Sequence, residues 1–228
     1  MHILALEFFP TSERGGSEKS YFEVLSALKE EGHDIDLAYC VEGDLVNEYK
    51  KKGIRVFKIF RTNIQKYHSI KEWTELIQSY NSLNRKYDVV YLNYINDTPL
   101  SVFFKIFRRT RIVCHLRIPL LTFCKQFHLA GKFVDEFIVL NDKQKKEYQT
   151  LFPTTPIYVI PNGVKKPNGW ETTSGKAGAA YLGRIAPEKG LLELLESWRI
   201  LKVVYSLSIP LCICGPAFTI EEKEYLIR

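Results

Sequence analysis

Two rhythms of apolar and polar positions alternate along this chain. His2-Ile3-Leu4-Ala5-Leu6 opens a strand over 2–8, broken by Glu7 and Pro10. Residues 17–31 then place Tyr21, Phe22, Leu25 and Leu28 on one face of a helix, and 34–40 (Asp-Ile-Asp-Leu-Ala-Tyr-Cys) return to strand period. The same reading gives a polar helix at 43–52, a strand at 54–60 and a helix near 70–86. Further on come a strand at 88–93, a helix at about 98–109, a strand at 111–115, a helix at 119–131, a strand at 135–140, a helix at 142–151 and a strand at 157–160. Strands alternating with helices predict an α/β fold, a doubly wound parallel sheet covered on both faces. The stretch 161–178 breaks the rhythm with turn chemistry, Pro161-Asn162-Gly163-Val164-Lys165-Lys166-Pro167-Asn168-Gly169. It divides the chain into a domain over 1–161, a linker over 162–177 and a second domain over 178–228. The second repeats the alternation with a strand at 178–183, a helix at 187–204, a strand at 209–214 and a short polar helix from about 219. At 51 residues and two strands, it falls short of the usual ~100 or more for a domain. The second domain is therefore expected to be incomplete, either truncated or completed by a partner.

Composition narrows the class. At 46% hydrophobic residues the chain can bury one or two ordinary cores. No apolar run approaches the ~20 residues of a membrane span, and the apolar start is too short and wrongly flanked for a signal peptide. The five cysteines form no CxxC pair and stand mostly in apolar runs, which suits a reducing cytoplasm and packed thiols, Cys212 and Cys214 included. The net charge of +6 is unevenly placed. Between 98 and 134 stand Lys105, Arg108, Arg109, Arg111, Arg117, Lys125 and Lys132 with no acidic residue, a candidate contact for an anionic surface such as the inner face of a membrane. No motif accompanies this charge that would argue for nucleic acid.

Three places carry candidate chemistry. Ala179-Ala180-Tyr181-Leu182-Gly183-Arg184-Ile185-Ala186-Pro187-Glu188-Lys189-Gly190 reads as a strand, a basic glycine turn and a helix opening at Pro187. Arg184 offers a planar fork to phosphate oxygens, Lys189 a point charge, and the helix start free N–H groups. The alternative is a surface turn with two solvated cations. The first βα turn, Phe9-Pro10-Thr11-Ser12-Glu13-Arg14-Gly15-Gly16-Ser17-Glu18, is neither a G-x-G-x-x-G nor a Walker A motif. Its Gly15-Gly16 pair allows a backbone approach to an anion, with Ser17 as a cap, or is a simple turn. His115 ends a strand, where ligands bind in open α/β sheets, although a lone His is also commonly structural.

Taken in order, Gly15-Gly16-x-Glu18, His115, Ile160-Pro161-Asn162-Gly163-Val164, Leu182-Gly183-Arg184-x4-Lys189-Gly190 and Leu211-x-Ile213-x-Gly215 resemble the retaining glycosyltransferases of family 4, which have the two-Rossmann GT-B fold. The resemblance implies transfer of a sugar from a nucleotide-diphosphate sugar to a glycan or lipid-linked acceptor, in polysaccharide assembly at the cytoplasmic side of a membrane. It implies that Arg184 and Lys189 grip the donor diphosphate and that Gly15 and Gly16 lie near the same phosphates. It also implies that His115 lines the sugar pocket, that Asn162 and Gly163 begin a hinge, and that neither a metal nor a cofactor is needed. One clamp donor of this kind is typically worth ~3–4 kcal/mol in the barrier. The sequence departs from the family pattern at Leu116, Lys165 and Ala217, where Asp, Asp and Gly are frequent. The family's Glu-x7-Glu motif would lie beyond Arg228. Two other readings stand beside the transferase: a non-catalytic binding or partner module, and a GT-B sugar-nucleotide epimerase.

Overall fold

The structure, a computed structural model, describes residues 1–13, 15–64, 69–117, 125–163, 178–206, 209–217 and 220–227. The chain divides into two compact units, Met1–Val164 and Lys165–Arg228. The first unit contains β1 (His2–Glu7), α1 (Gly16–Glu30), β2 (Asp34–Tyr39), α2 (Leu45–Lys51), β3 (Arg55–Lys58), α3 (Ile70–Ser82) and β4 (Val89–Leu92). It continues with α4 (Thr98–Arg108), β5 (Arg111–Leu116), α5 (Lys125–Gly131), β6 (Glu136–Val139), α6 (Asp142–Leu151) and β7 (Ile157–Val159). The second holds β8 (Ala179–Leu182), α7 (Leu191–Val204), β9 (Leu211–Cys214) and α8 (Ile220–Ile227).

The seven strands of the first unit form one parallel sheet in the order β3-β2-β1-β4-β5-β6-β7. The winding direction reverses between β1 and β4, which opens a crevice at the carboxyl ends of those strands. β1 shows why the sheet is covered twice. Leu4 and Leu6 enter one apolar cluster with Val90, Leu92, Cys114, Phe104 and Phe137, while Ile3 and Ala5 enter the other with Tyr21, Leu25, Ile35 and Tyr49. A strand buried on both sides must be apolar throughout. Each fully buried large side chain contributes about 1.5–3 kcal/mol relative to exposure.

Local chemistry sets several helix starts. Ser69 accepts from the Glu72 backbone N–H while Glu72 accepts from Ser69 N–H, a capping box at α3. Asn141 accepts from Gln144 N–H at α6, and Gln144 accepts from Leu140 N–H in return.

The second unit departs from expectation at one helix. Residues 187–204 are not continuous: Pro187–Lys189 make one 3-10 turn, Gly190 adopts φ 66 and ψ 30, and α7 begins at Leu191. A left-handed residue cannot sit inside an α-helix, so Gly190 divides the segment. Cys212 and Cys214 share a face of β9 but are exposed, their Sγ atoms 3.4 Å apart, so they are not packed thiols in these residues. The expected start of a helix at 119–124, most of the linker 162–177 and residue 219 lie outside the described residues.

Candidate functional site

The carboxyl ends of β1, β4 and β5 carry a cluster of buried polar side chains. Glu7 is the last residue of β1, Asn93 follows β4, and His115 and Arg117 lie at the end of β5; all four are at most 8% exposed. Arg117 Nε donates to Asn93 Oδ1 at 2.9 Å, and its Nη1 donates to Ser20 Oγ at 2.6 Å and Asn162 Oδ1 at 2.5 Å. His115 Nδ1 lies 2.8 Å from Tyr91 Oη and 3.1 Å from Arg117 Nη2. Burial first, and the Arg117 charge second, hold the His115 pKa down at about 3. Asp97, between β4 and α4, is fully buried, and burial pushes its pKa up to about 7. Burial also raises the Glu7 carboxyl, against a hydrogen bond from Tyr49 Oη at 3.1 Å.

Four atoms of this cluster have no hydrogen-bond partner among the described residues: Glu7 Oε1, Asn93 Nδ2, Asp97 Oδ2 and His115 Nε2. Beside them, Asn93, Tyr94, Ile95, Asn96, Leu116, Arg117 and Tyr148 line a cavity of about 50 Å³. That volume holds a few waters and no sugar.

The glycine turn lies at the start of α1. Gly15 is the residue before the helix, with φ 154 and ψ −161, a region that only glycine occupies readily. A Cβ added at Gly15 or Gly16 would meet no atom within 4 Å. Ser17 does not cap α1: its hydroxyl donates to Glu18 Oε2 at 2.6 Å and also meets Tyr94 Oη, which donates to Glu18 Oε1 at 2.9 Å. The first-turn N–H groups of α1 therefore gain no side-chain acceptor from Ser17. The earlier part of the turn is pinned by Asp44, whose carboxylate accepts from Ser12 N–H at 2.8 Å and Ser12 Oγ at 2.5 Å.

In the second unit, Gly183 and Arg184 follow β8, and Lys189 is exposed on the 3-10 turn. Arg184 Nη2 donates to Glu188, and its Nε lies 3.1 Å from Glu222 Oε1 as an ion pair without hydrogen-bond alignment. Two carboxylates thus stand against Nη2 and Nε of the guanidinium expected to meet phosphate. Gly215, after β9, meets the Gly183 carbonyl: a Cβ there would stand 1.7 Å from that oxygen. Only a glycine at 215 lets the strand ends approach so closely.

The basic run is largely consumed by the fold. Lys105 pairs with Asp135, Arg111 pairs with Glu136, and Arg108 donates to the Leu83 and Arg85 carbonyls and lies over the Tyr80 ring. Arg117 is buried; Arg109, Arg111 and Lys132 are exposed, Arg111 within its ion pair to Glu136, and the side chain of Lys125 is not described. Among the described residues no group of three or more His, Cys, Asp or Glu side chains is arranged to hold a metal, and no helix is long and apolar enough to cross a membrane.

Sequence reasoning named His115, Gly15, Gly16, Asn162 and Gly163 in the first unit. Arg117 it counted only as charge, and Glu7 only as a break in the strand. Asn93 and Asp97 it passed over. The single signal for Arg117 is its place two residues after His115 at a strand end.

A doubly wound parallel sheet followed by a second βαβ unit is the architecture of the GT-B fold, and solved structures share it. Anabaena Alr3699/HepE in complex with UDP and glucose matches with a TM-score of 0.67 and 16% identity, over 99% of this chain and 63% of that one. Acinetobacter baumannii MurG matches with a TM-score of 0.60 and 14% identity, over 99% and 61%. Staphylococcus aureus TarM, a mutant crystallised with fondaparinux, alpha-GlcNAc-glycerol and UDP, gives 0.72 and 10%, over 99% and 74%. The chain thus spans a little under two thirds of the length of HepE in that complex. The chain belongs to glycosyltransferase family 4, whose model matches residues 14–166. No curated protein sequence matches it.

Proposed function

We propose that this chain serves a glycosyltransferase that moves a sugar from a nucleotide-diphosphate sugar to a glycan or lipid-linked acceptor, with retention of anomeric configuration, in cell-surface polysaccharide assembly. The observation that carries the reading is the family match over 14–166, on a sheet whose carboxyl edge leaves His115 Nε2 buried and unpartnered among the described residues. Gly15 and Gly16 bring backbone N–H groups to the donor phosphates, where a Cβ on Gly16 would take up ligand space. Arg184 and Lys189 neutralise the charge that grows on the diphosphate as the sugar leaves. For that, Arg184 must exchange Glu188 and Glu222 for phosphate oxygens. Asn162 and Gly163 act as the hinge, with Asn162 anchored through Arg117 and Ser20. Neither a metal nor another cofactor takes part.

The protein works in the cytoplasm, at the inner face of the membrane. Its contact with anionic lipid runs over α4, α5 and the turn after it, where Ile106, Phe107, Leu129 and Phe133 are exposed beside Arg109 and Lys132. A second reading is favoured by the carboxylates on Arg184: sugar-nucleotide binding without turnover, as a partner module.

The test is turnover of UDP-glucose, the donor held in one HepE structure. Purified protein is expected to release UDP, and Arg184→Ala to lower kcat by about 10²–10³-fold. Binding without release in both proteins favours the partner module. Neither binding nor release, across a panel of nucleotide sugars, overturns the proposal.

A further inference from the structure

The contacts of Arg117 and His115 fix the position of one proton. A guanidinium has donors only, so Arg117 Nη2, 3.1 Å from His115 Nδ1, donates to that nitrogen. Tyr91 Oη lies 2.8 Å from the same nitrogen and acts as its second donor. With Nδ1 accepting, the neutral ring carries its proton on Nε2. That N–H is buried and has no partner among the described residues. Arg117 is itself held on three sides, by Asn93, Ser20 and Asn162, none of which is a carboxylate. Among the described residues no carboxylate forms an ion pair with it, although the Glu7 carboxyl at the end of β1 feels its charge, and that charge acts on the imidazole beside it.

We infer that Arg117 is a positioning residue that presets His115 as a neutral Nε2–H donor to an oxygen of a bound sugar substrate, and that His115 does not relay protons. A general base needs a bare nitrogen facing its substrate and a pKa near the working pH. Here the bare nitrogen is covered by two donors, and burial together with the adjacent cation keeps the ring from accepting a second proton. What His115 offers is one buried N–H at the carboxyl end of β5, the strand next to β4 at the switch point. A preset donor of this kind needs no rearrangement when the ligand arrives. The same guanidinium binds Ser20 of α1 and Asn162 after β7, so the direction of that N–H is tied to the start of the linker segment. That the oxygen belongs to a sugar rests on the proposed function; the location of the proton does not.

The experiment is a ¹⁵N–¹H long-range correlation spectrum of the ¹⁵N-histidine-labelled chain from pH 5 to 8.5, with His115 assigned by His115→Gln. In the wild type, Nε2 is expected to be protonated, Nδ1 bare, and neither to titrate. In Arg117→Met the ring is expected to populate both tautomers and its pKa to rise above about 3, while burial, the larger cause, still holds it below the ordinary 6.5. Arg117→Lys, a cation without the fork, is expected to fall between the two. A proton on wild-type Nδ1, a wild-type titration within this range, or an Arg117→Met spectrum unchanged from wild type overturns the inference. If Arg117→Met does not fold, Tyr91→Phe decides: retention of the Nε2–H tautomer supports Arg117 as the residue that sets it, and its loss overturns that role. A second arm follows UDP-glucose turnover against pH. Arg117→Met is expected to acquire an inflection between about pH 3 and 6.5 that the wild type lacks. Absence of wild-type turnover counts against the transferase reading alone and leaves the spectra to judge Arg117.

Discussion

The two ends of the seven-stranded sheet treat buried polar groups in opposite ways. At the amino end, Asp36 is completely buried and meets Arg55 Nε at 2.8 Å, Tyr87 Oη at 3.0 Å, His2 Nε2 at 3.3 Å and, more distantly, Arg85 at 3.9 Å. None of the buried atoms that lack a partner belongs to these residues. At the carboxyl end, Glu7, Asn93, Asp97 and His115 each keep one atom without a partner among the described residues. The other such atoms in this unit are hydroxyls, on Ser26, Thr62 and Thr110. A saturated network holds strands together, whereas an unsaturated one costs stability and is retained where a ligand or water completes it. The Asp36 network is saturated, whereas the four groups at the carboxyl end are not, the arrangement expected where the proposed ligand would bind; at the amino end only the Thr110 hydroxyl, just before β5, lacks a partner among the described residues.

The largest expected effect tests the saturated end. Asp36→Ala strips a buried hub and leaves Arg55 and Tyr87 facing an empty position; it should lower unfolding free energy by about 3–5 kcal/mol in urea titration. His115→Ala loses only the Nδ1 contacts with Tyr91 and Arg117, since Nε2 has no partner among the described residues; it should lower stability by about 1–3 kcal/mol while abolishing productive sugar binding. If the two variants are equally unstable, the contrast between the ends fails.

Asp97 sharpens the same point through pH. Its folded pKa, about 7, stands above the ordinary 3.8, so the native state binds the extra proton. Its contribution to stability is present below pH 4 and is lost as pH rises to about 7. His115 acts in the opposite sense between about pH 3 and 6.5, since its folded pKa is depressed. Asp97→Asn should therefore gain on the wild type as pH rises from 4 to 7, on the order of a few kcal/mol. A difference that does not change with pH in thermal unfolding would remove Asp97 from the strained cluster.

The two glycines of the first turn give the smallest and most discriminating contrast. Gly15→Ala must adopt a glycine-only conformation and should cost about 1–3 kcal/mol. Gly16→Ala has ordinary helical geometry and open space, so it should be neutral or stabilising by about 0.5–1 kcal/mol. Yet Gly16→Ala should weaken nucleotide-sugar binding in calorimetric titration. Unchanged binding would leave Gly16 a plain helix residue.

Much of this was legible before folding. β1, α1 and β2 are written in the alternation of Ile3, Leu4, Leu6, Tyr21, Leu25, Ile35 and Leu37, because a strand or helix buried on a given face needs apolar residues at that face's period. His115 could be found because strand ends are readable. Arg117 could not be told from its six basic neighbours, since a cation's fate depends on what surrounds it. Lys105 and Arg111 meet Asp135 and Glu136 across the fold, at sequence distances no local pattern records. The helix drawn over 187–204 ran through Gly190 because helical propensity does not report a single left-handed residue.

The sequence by itself determined the order of strands and helices, the glycine turns and the strand-end histidine, all of which follow from local periodicity and backbone freedom. Only the tertiary structure decided which polar atoms are satisfied. Asp36 and Asp97 are the same residue type at similarly buried positions, one surrounded by donors and the other left short. That difference is made by strands and helices arriving from distant parts of the chain, and it separates the saturated Asp36 network from the unsaturated cluster at the carboxyl end.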